Sequence, residues 1–347
     1  MNTSEMHPVP DEPTASDMLK SIFAHSGPYV SVYLATMPLL ADNKDDLYNR
    51  WKEMRQSLET KGASLASLDA VEARIVLPIP EDAAGICVIA AAEGSTVVDY
   101  GMEPPRSDLA IVDTLPYSAP LMEWQQRRVP HLVVTVDEKG ADVVSFGLAN
   151  FTNLETYQGS TSDLLDPISK HVEAIKAKLV VLAGDPKIIK TLANELVTKV
   201  PMGCRIVTDS TDKSVDDLSE ATVRFVGDTV ARKTLNYLKE QQFLSNHDAA
   251  VDGTANTVKA ISEGTAEVLL IHDDPVDQRR LSLGTLPFEM SLEERPGYTN
   301  KARIIDALIA SAVLQNIVVR IIPSTGEQGP EDDVAALTRT DPEPPSI

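Results

Sequence analysis

The segment from Leu179 to Val207 constrains the fold more than any other. Leu179–Ala183 is a continuous apolar run of strand length without polar alternation, as in a strand covered on both faces. Gly184-Asp185-Pro186 follows, and proline suits the first position of a helix because it needs no N–H donor there. Ile188, Ile189, Leu192 and Leu196 then recur at helical spacing, and Arg205–Val207 reads as a second strand. Strand, tight turn, helix, strand is a βαβ unit. It predicts an α/β (α+β) fold whose mixed sheets are flanked by helices and hold at least one parallel pair.

The flanking sequence extends this alphabet. His131–Val136 and Ala141–Phe146 bracket Asp137-Glu138-Lys139-Gly140, a hairpin signal. Residues 147–162 show no clear period and read as a loop or protrusion, followed by a helix over 163–177. Upstream, Tyr29–Leu34 reads as a strand. A helix from about Asp45 sets Leu47, Trp51, Met54 and Leu58 on one stripe, and Gly85–Ala92 pairs with Thr96–Tyr100 across Glu93-Gly94. Leu121–Arg128 is helical until Pro130 stops it. Downstream, one helical pattern runs from Ser214 to about Phe243. Helices over 254–262 and 301–316 and strands over 267–271 and 317–322 follow, with a long polar insertion over 273–300.

A chain of 347 residues holds two or three domains at about 100–200 residues each. The expected division is an acidic disordered tail (1–17), an N-terminal domain (18–129), a middle domain (130–212), a C-terminal α/β domain (213–322) and an acidic, Pro-rich tail (323–347). The formal charge is −21, of which the two tails carry −9. Each expected domain is then only mildly acidic. The balance excludes tight non-specific nucleic-acid binding, so no DNA partner is expected, and it excludes an anionic-membrane binder. No apolar run reaches the length of a membrane span. Cys87 and Cys204 read as buried thiols of a reducing cytosol, so the expected location is cytoplasmic.

Motifs for chemistry are sparse. The sequence has no Walker A, GxGxxG, GxSxG, HExxH or CxxC pattern, and no cofactor is expected. His272-Asp273-Asp274-Pro275 with Asp277 lacks the order of a calcium loop and reads as a solvated turn, so no metal site is expected. His171 with Asp166 and Ser169 cannot converge as a triad at those spacings on one helix, and reads as helix surface; His131 reads as a satisfied strand boundary. Arg50, Lys52, Arg55 and Lys61 lie mostly off the apolar stripe of their helix. Phe151 and Tyr157 are aromatic groups that an exposed loop does not need.

The stretch Trp124–Val134 (WQQRRVPHLVV), continuing through Asp137 to Gly140–Val143, resembles the bacterial branch of the archaeo-eukaryotic peptide-chain release factor family, which includes ribosome hibernation factors of the Balon type. Gly27–Thr36, Leu179–Pro186 and Asp252–Ile271 agree with it in order, over about residues 20–340. The resemblance implies a three-domain, release-factor/Pelota-like architecture shaped like tRNA, entering the ribosomal A site. Its N-terminal domain would face the decoding centre, its middle domain the peptidyl transferase centre. Release factors of the family act through Gly-Gly-Gln and read stop codons through Asn-Ile-Lys-Ser; neither occurs here, and the nearest fragment is Tyr157-Gln158-Gly159-Ser160.

The resemblance therefore implies a non-enzymatic ribosome-binding factor that blocks tRNA on idle ribosomes. Arg50, Lys52, Arg55 and Lys61 would meet 16S rRNA, and Phe151, Asn153, Tyr157, Gln158 and Gly159 would meet 23S rRNA at the middle-domain tip. It also allows delivery by elongation factor Tu. One alternative is a ribosome-rescue peptidyl-tRNA hydrolase using Gln158; another is an interaction scaffold recruited through the acidic tails.

Overall fold

A computed structural model describes residues 14–36, 44–80, 83–101, 107–147, 152–202, 204–209, 249–286, 288–322 and 329–339, with scattered helical positions over 214–239. The chain divides into two compact units. One comprises 1–12 and 127–229, and the other comprises 13–126 and 230–347. Most of the expected 214–243 helix, and Phe151, lie outside the described residues.

The second unit is built from both ends of the chain. Strands β1 (Tyr29–Ala35), β2 (Gly85–Ala90), β3 (Thr96–Gly101) and β4 (Leu109–Asp113) form an antiparallel sheet ordered β3-β2-β1-β4. Strand β1 is central, and its sequence explains why. Val30, Val32 and Leu34 meet Leu47, Trp51 and Leu58 of α2 (Lys44–Thr60) and Leu68 and Val71 of α3 (Leu65–Ile75). Tyr29 and Tyr33 turn the other way, into a core shared with α1 (Ala15–Phe23), α4 (Ala119–Arg127) and the C-terminal segment. A helix over 65–75 and a strand over 109–113 are additions to the sequence reading.

The C-terminal segment contributes a sheet ordered β10-β16-β11-β15: β10 (Ala250–Asp252), β11 (Ala266–Ile271), β15 (Val318–Ile321) and β16 (Val334–Thr338). It also contributes α7 (Thr254–Ser262) and α8 (Ile304–Leu314), buried from Ile304 through Val313. The polar insertion is not featureless: β12 (Arg280–Leu283), β13 (Met290–Ser291) and β14 (Asn300–Arg303) make a small antiparallel sheet. Ile305, Leu308, Ile309 and Leu269 join Tyr33, Tyr117 and Trp124 in one core, so segments read separately as 18–129 and 213–322 bury their apolar faces together.

Both expected tails need correction. Thr14 caps α1 through a capping box with Asp17, so ordered structure begins inside the 1–17 tail. At the other end, β16 lies between β10 and β11, with Val334, Ala335 and Ala336 fully buried. Acid and proline counts masked the four-residue apolar run Val334–Leu337.

The first unit holds a five-stranded sheet, β7-β6-β5-β8-β9: β5 (His131–Val136), β6 (Gly140–Phe146), β7 (Thr152–Gln158), β8 (Leu179–Gly184) and β9 (Arg205–Asp209). The expected hairpin and βαβ unit are both present. β5 and β6 are antiparallel, and β8 and β9 are parallel across α6 (Pro186–Leu196). Asp185 caps α6, its carboxylate accepting from the Lys187 and Ile188 amides at 2.8 and 3.2 Å. The expected loop 147–162 is corrected: residues 152–158 form edge strand β7, and α5 spans Thr161–Ala174. Asn153, Glu155 and Tyr157 are half-buried while Leu154, Thr156 and Gln158 are exposed. That is a period of two, with polar groups on the inward face.

Candidate functional site

Strands β5 and β7 end on either side of the start of β6, at the 137–140 hairpin. The Asp137 carboxylate accepts from the Lys139 and Gly140 amides at 2.7 and 3.0 Å, closing the turn. Gln158 is the register partner of Gly140, where a Cβ would collide with the Tyr157 carbonyl, so only glycine lets β7 run so close. The Gly159 amide donates to the Lys139 carbonyl at 3.2 Å. Gly159 itself has φ +144°, a conformation that favours glycine. Ser160 then caps α5: its amide and hydroxyl donate to the Asp163 carboxylate at 2.9 and 2.7 Å. Gln158-Gly159-Ser160 is thus fixed by a ladder on one side and a capping box on the other. An open cleft lies beside it, lined by Thr135, Lys139, Asp142, Thr156, Tyr157 and Gln158.

Beneath the cleft runs a chain of polar groups. Ser145 Oγ lies 2.9 Å from His171 Nδ1, and His171 Nε2 lies 2.9 Å from the Tyr157 hydroxyl. The Tyr157 hydroxyl donates to Glu155 at 2.5 Å, and Asn153 Nδ2 donates to the other Glu155 oxygen at 3.0 Å. One direction satisfies every group: Ser145 to Nδ1, Nε2–H to Tyr157, Tyr157 to Glu155. Burial holds the His171 pKa below its ordinary value, against the pull of Glu155. The Tyr157 hydroxyl is raised by burial and then by Glu155. A serine, a histidine and an acid in series suggest a hydrolase, but Ser145 and His171 are each 1% exposed. No substrate carbonyl reaches a serine so enclosed; the chain pins β6 and β7 to α5.

This corrects the reading of His171 as helix surface. Leu164, Ile168, His171 and Val172 share the buried face of α5, and His171 takes its place there because Ser145 and Tyr157 supply partners. Asp166 pairs instead with Lys199 at 3.2 Å, and Ser169 donates to the Leu165 carbonyl at 2.8 Å, so these two do not approach His171. The signal for the network was the alternation of Asn153, Glu155 and Tyr157. His131 is satisfied as expected, with Nδ1 2.7 Å from the Val129 carbonyl and Nε2 2.6 Å from Ser219 Oγ, and its ring is stacked on Phe146. Burial pushes its pKa down to about 4.

The two sequence-predicted sets lie in different units. Arg50 pairs with Asp46 and Asp108 and donates to the Ala35 carbonyl. Arg55 pairs with Glu59, Asp69 and Glu72. Lys52 and Lys61 are exposed, with Lys52 4.3 Å from the Tyr48 ring centroid. Of the middle-domain set, Asn153 points into the polar chain while Gln158 and Gly159 stand at the far end of β7, about 20 Å from its start at about 3.3 Å per residue. Cys87 is buried, but Cys204 is only half-buried, because it sits in the turn before β9. In the 272–277 loop, Asp273 pairs with Arg303 and Asp277 with Arg279, and no metal-ligating cluster occurs among the described residues. None of the helices among the described residues is long and apolar enough to cross a membrane.

No family model matches the sequence. An uncharacterized protein of Mycobacterium tuberculosis, found in two strains, is 26% identical over 226 residues, which are 63% of this chain and 54% of the relative. The chain thus spans about half the length of the curated relatives it matches. Similar solved structures include the archaeal translation termination factor aRF1 (14% identity, 94% of this chain and 97% of that one, TM-score 0.26). Archaeoglobus fulgidus Pelota (16%, 74% and 80%, TM-score 0.36) and Saccharomyces cerevisiae Dom34, a translation termination-like factor (12%, 75% and 79%, TM-score 0.40), are also similar.

Proposed function

We propose that the protein is a ribosome-binding hibernation factor of the cytoplasm. It occupies the A site from the decoding centre toward the peptidyl transferase centre, contacts 16S and 23S rRNA, and blocks tRNA without catalysis. The four ordered stretches that resemble the release-factor family support the ribosomal partner. The setting of Gln158 carries the non-catalytic part. Where release factors of that family place Gly-Gly-Gln, this chain has Gln158 in a strand ladder and Gly159-Ser160 spent on a turn and a helix cap. Positioning water against an ester calls for backbone and side chain together settling on the reacting atoms, and here the Gln158 backbone is committed to a strand end.

The test is to incubate ribosomes from stationary-phase cells with the full chain, pellet them, and assay peptidyl-tRNA in the same samples. The expected result is co-sedimentation, loss of A-site tRNA binding and unchanged peptidyl-tRNA. Absence from the pellet removes the ribosomal role. Peptide release abolished by Gln158→Ala replaces it with a hydrolase. Dependence of co-sedimentation on elongation factor Tu and GTP would identify that factor as the carrier.

A further inference from the structure

The sheet of the first unit is electrically polarised along its strands. At the hairpin end, where β5 and β8 finish and α5 and α6 begin, stand Asp137, Glu138, Asp163 and Asp185, against Lys139 and Lys187. At the opposite end, where β8 and β9 begin, Lys176, Lys178, Lys199 and Arg205 are exposed, against Glu173 and Glu195. In a chain of net charge −21, that is a local reversal of sign.

Helix dipoles explain only part of it. Asp163 and Asp185 are spent on capping helix N-termini, and Lys199 sits just past the C-terminus of α6, where a cation is favoured, and pairs with Asp166. Lys178 and Arg205 belong to no helix. Lys178 immediately precedes β8, and Arg205 opens β9 as the register partner of Leu179. The Arg205 amide donates to the Lys178 carbonyl at 2.9 Å, and the Lys178 amide to the Pro130 carbonyl at 2.8 Å, so their backbones are rigidly neighbours. Neither side chain makes a hydrogen bond or ion pair among the described residues. Alternation along the strands sends the two to opposite faces of the strand end. An anionic backbone laid across that end meets both.

We propose that this strand-start end is a docking surface for RNA phosphates, with Lys178 and Arg205 as its anchoring cations. It rests on the reading of the ribosome as partner, and it reverses the orientation that the hairpin end alone suggests. The acidic end carrying Gln158 repels phosphate, while the basic end binds it. The contact is with the backbone and carries no sequence preference.

The experiment compares the full chain with Lys178→Gln/Arg205→Gln, and with Lys139→Gln/Lys187→Gln as a charge-matched control, on ribosomes and on protein-free 23S rRNA from 50 to 200 mM salt. Both anchors are exposed, so thermal melts of all three proteins should coincide; any that shifts is replaced by Lys178→Arg/Arg205→Lys, which keeps the charge and should keep the binding. The expected result is a salt slope shallower by about one per lost side chain for the double variant on both targets, with the control unchanged. An unchanged slope with intact ribosome binding overturns the docking surface and leaves the ribosomal role standing. Wild-type failure to bind ribosomes, with naked-rRNA binding still dependent on the two residues, overturns the ribosomal role and leaves the surface standing. Loss of ribosome binding with naked-rRNA binding untouched assigns the patch to an acidic ribosomal protein and overturns the RNA assignment.

Discussion

The two units spend their cations in opposite ways. In the second unit, arginines are taken up by carboxylates, in several cases ones far away in sequence. Arg303 pairs with Asp273 at 2.5 Å beside the Tyr117 ring, Arg280 pairs with Asp113 at 2.5 Å, and Arg279 binds Asp277 at 2.7 Å and lies 3.6 Å from Asp333. In the first unit, basic side chains at the strand starts point to solvent. The difference shows why a charge count misleads. The arginines of α2 look like an RNA-binding row in sequence, yet each is consumed by carboxylates, whereas Lys178 and Arg205 look unremarkable and stand exposed.

The sharpest way to break this contrast is to cut the stitching. A chain ending at Ile322 loses β16 and leaves β10 and β11 without the strand between them. It should lose the folded second unit entirely, while a chain ending at Arg339 melts like the full one. Both tryptophans, Trp51 and Trp124, lie in that unit, so tryptophan fluorescence follows it alone. Hydrogen exchange over 131–183 should remain protected in the shorter chain, because β5, β6, β7 and β8 are contiguous in sequence. Equal loss of protection in both units would abolish the distinction.

Next in size is Arg303→Met. Arg303 is 4% exposed and pairs with the nearly buried Asp273 carboxylate, so its removal strands that charge and also takes away the cation beside the buried Asp306 carboxyl. Breaking a buried pair from one side costs about 3–5 kcal/mol, which denaturant titration followed by tryptophan fluorescence measures. The matching change in the first unit, Lys178→Met, should alter stability by less than about 0.5 kcal/mol, as is usual for an exposed group without partners.

How much of this was legible follows from which interactions are local. The 131–146 hairpin, the 179–207 βαβ unit and the stripe of α2 are written in neighbouring residues, and the structure reproduces them. β16 was hidden because its apolar run is short and flanked by Pro, Asp and Glu, and its partners lie more than 60 residues upstream. His171 was misplaced because a buried histidine is recognised by its partners, and Ser145 and Tyr157 reach it only after the sheet forms. The pairing of Arg50 and Arg55 depended on Asp108, Asp69 and Glu72, which no helical spacing predicts.

The units should also answer pH in opposite directions. In the first, burial lowers the folded pKa of His131 to about 4, against about 6.5 in an unfolded chain. The unfolded state binds the extra proton in that window, so the stabilisation is present above pH 6.5 and is lost as pH falls toward 4, by about 3 kcal/mol. His171, also lowered by burial, adds in the same direction. In the second unit, burial raises the pKa of Asp306 to about 8. Here the folded state holds the extra proton, so stability is greatest below the ordinary carboxylate range and is lost as pH rises toward 8. Acid should therefore loosen the 131–183 peptides first in hydrogen exchange, while the tryptophan-reported unfolding midpoint rises between pH 8 and pH 5. Replacing His131 by Phe should flatten the first trend, and Asp306→Asn should flatten the second. If both units weaken together on acidification, the inward-facing charges of the second unit do not act as its geometry requires.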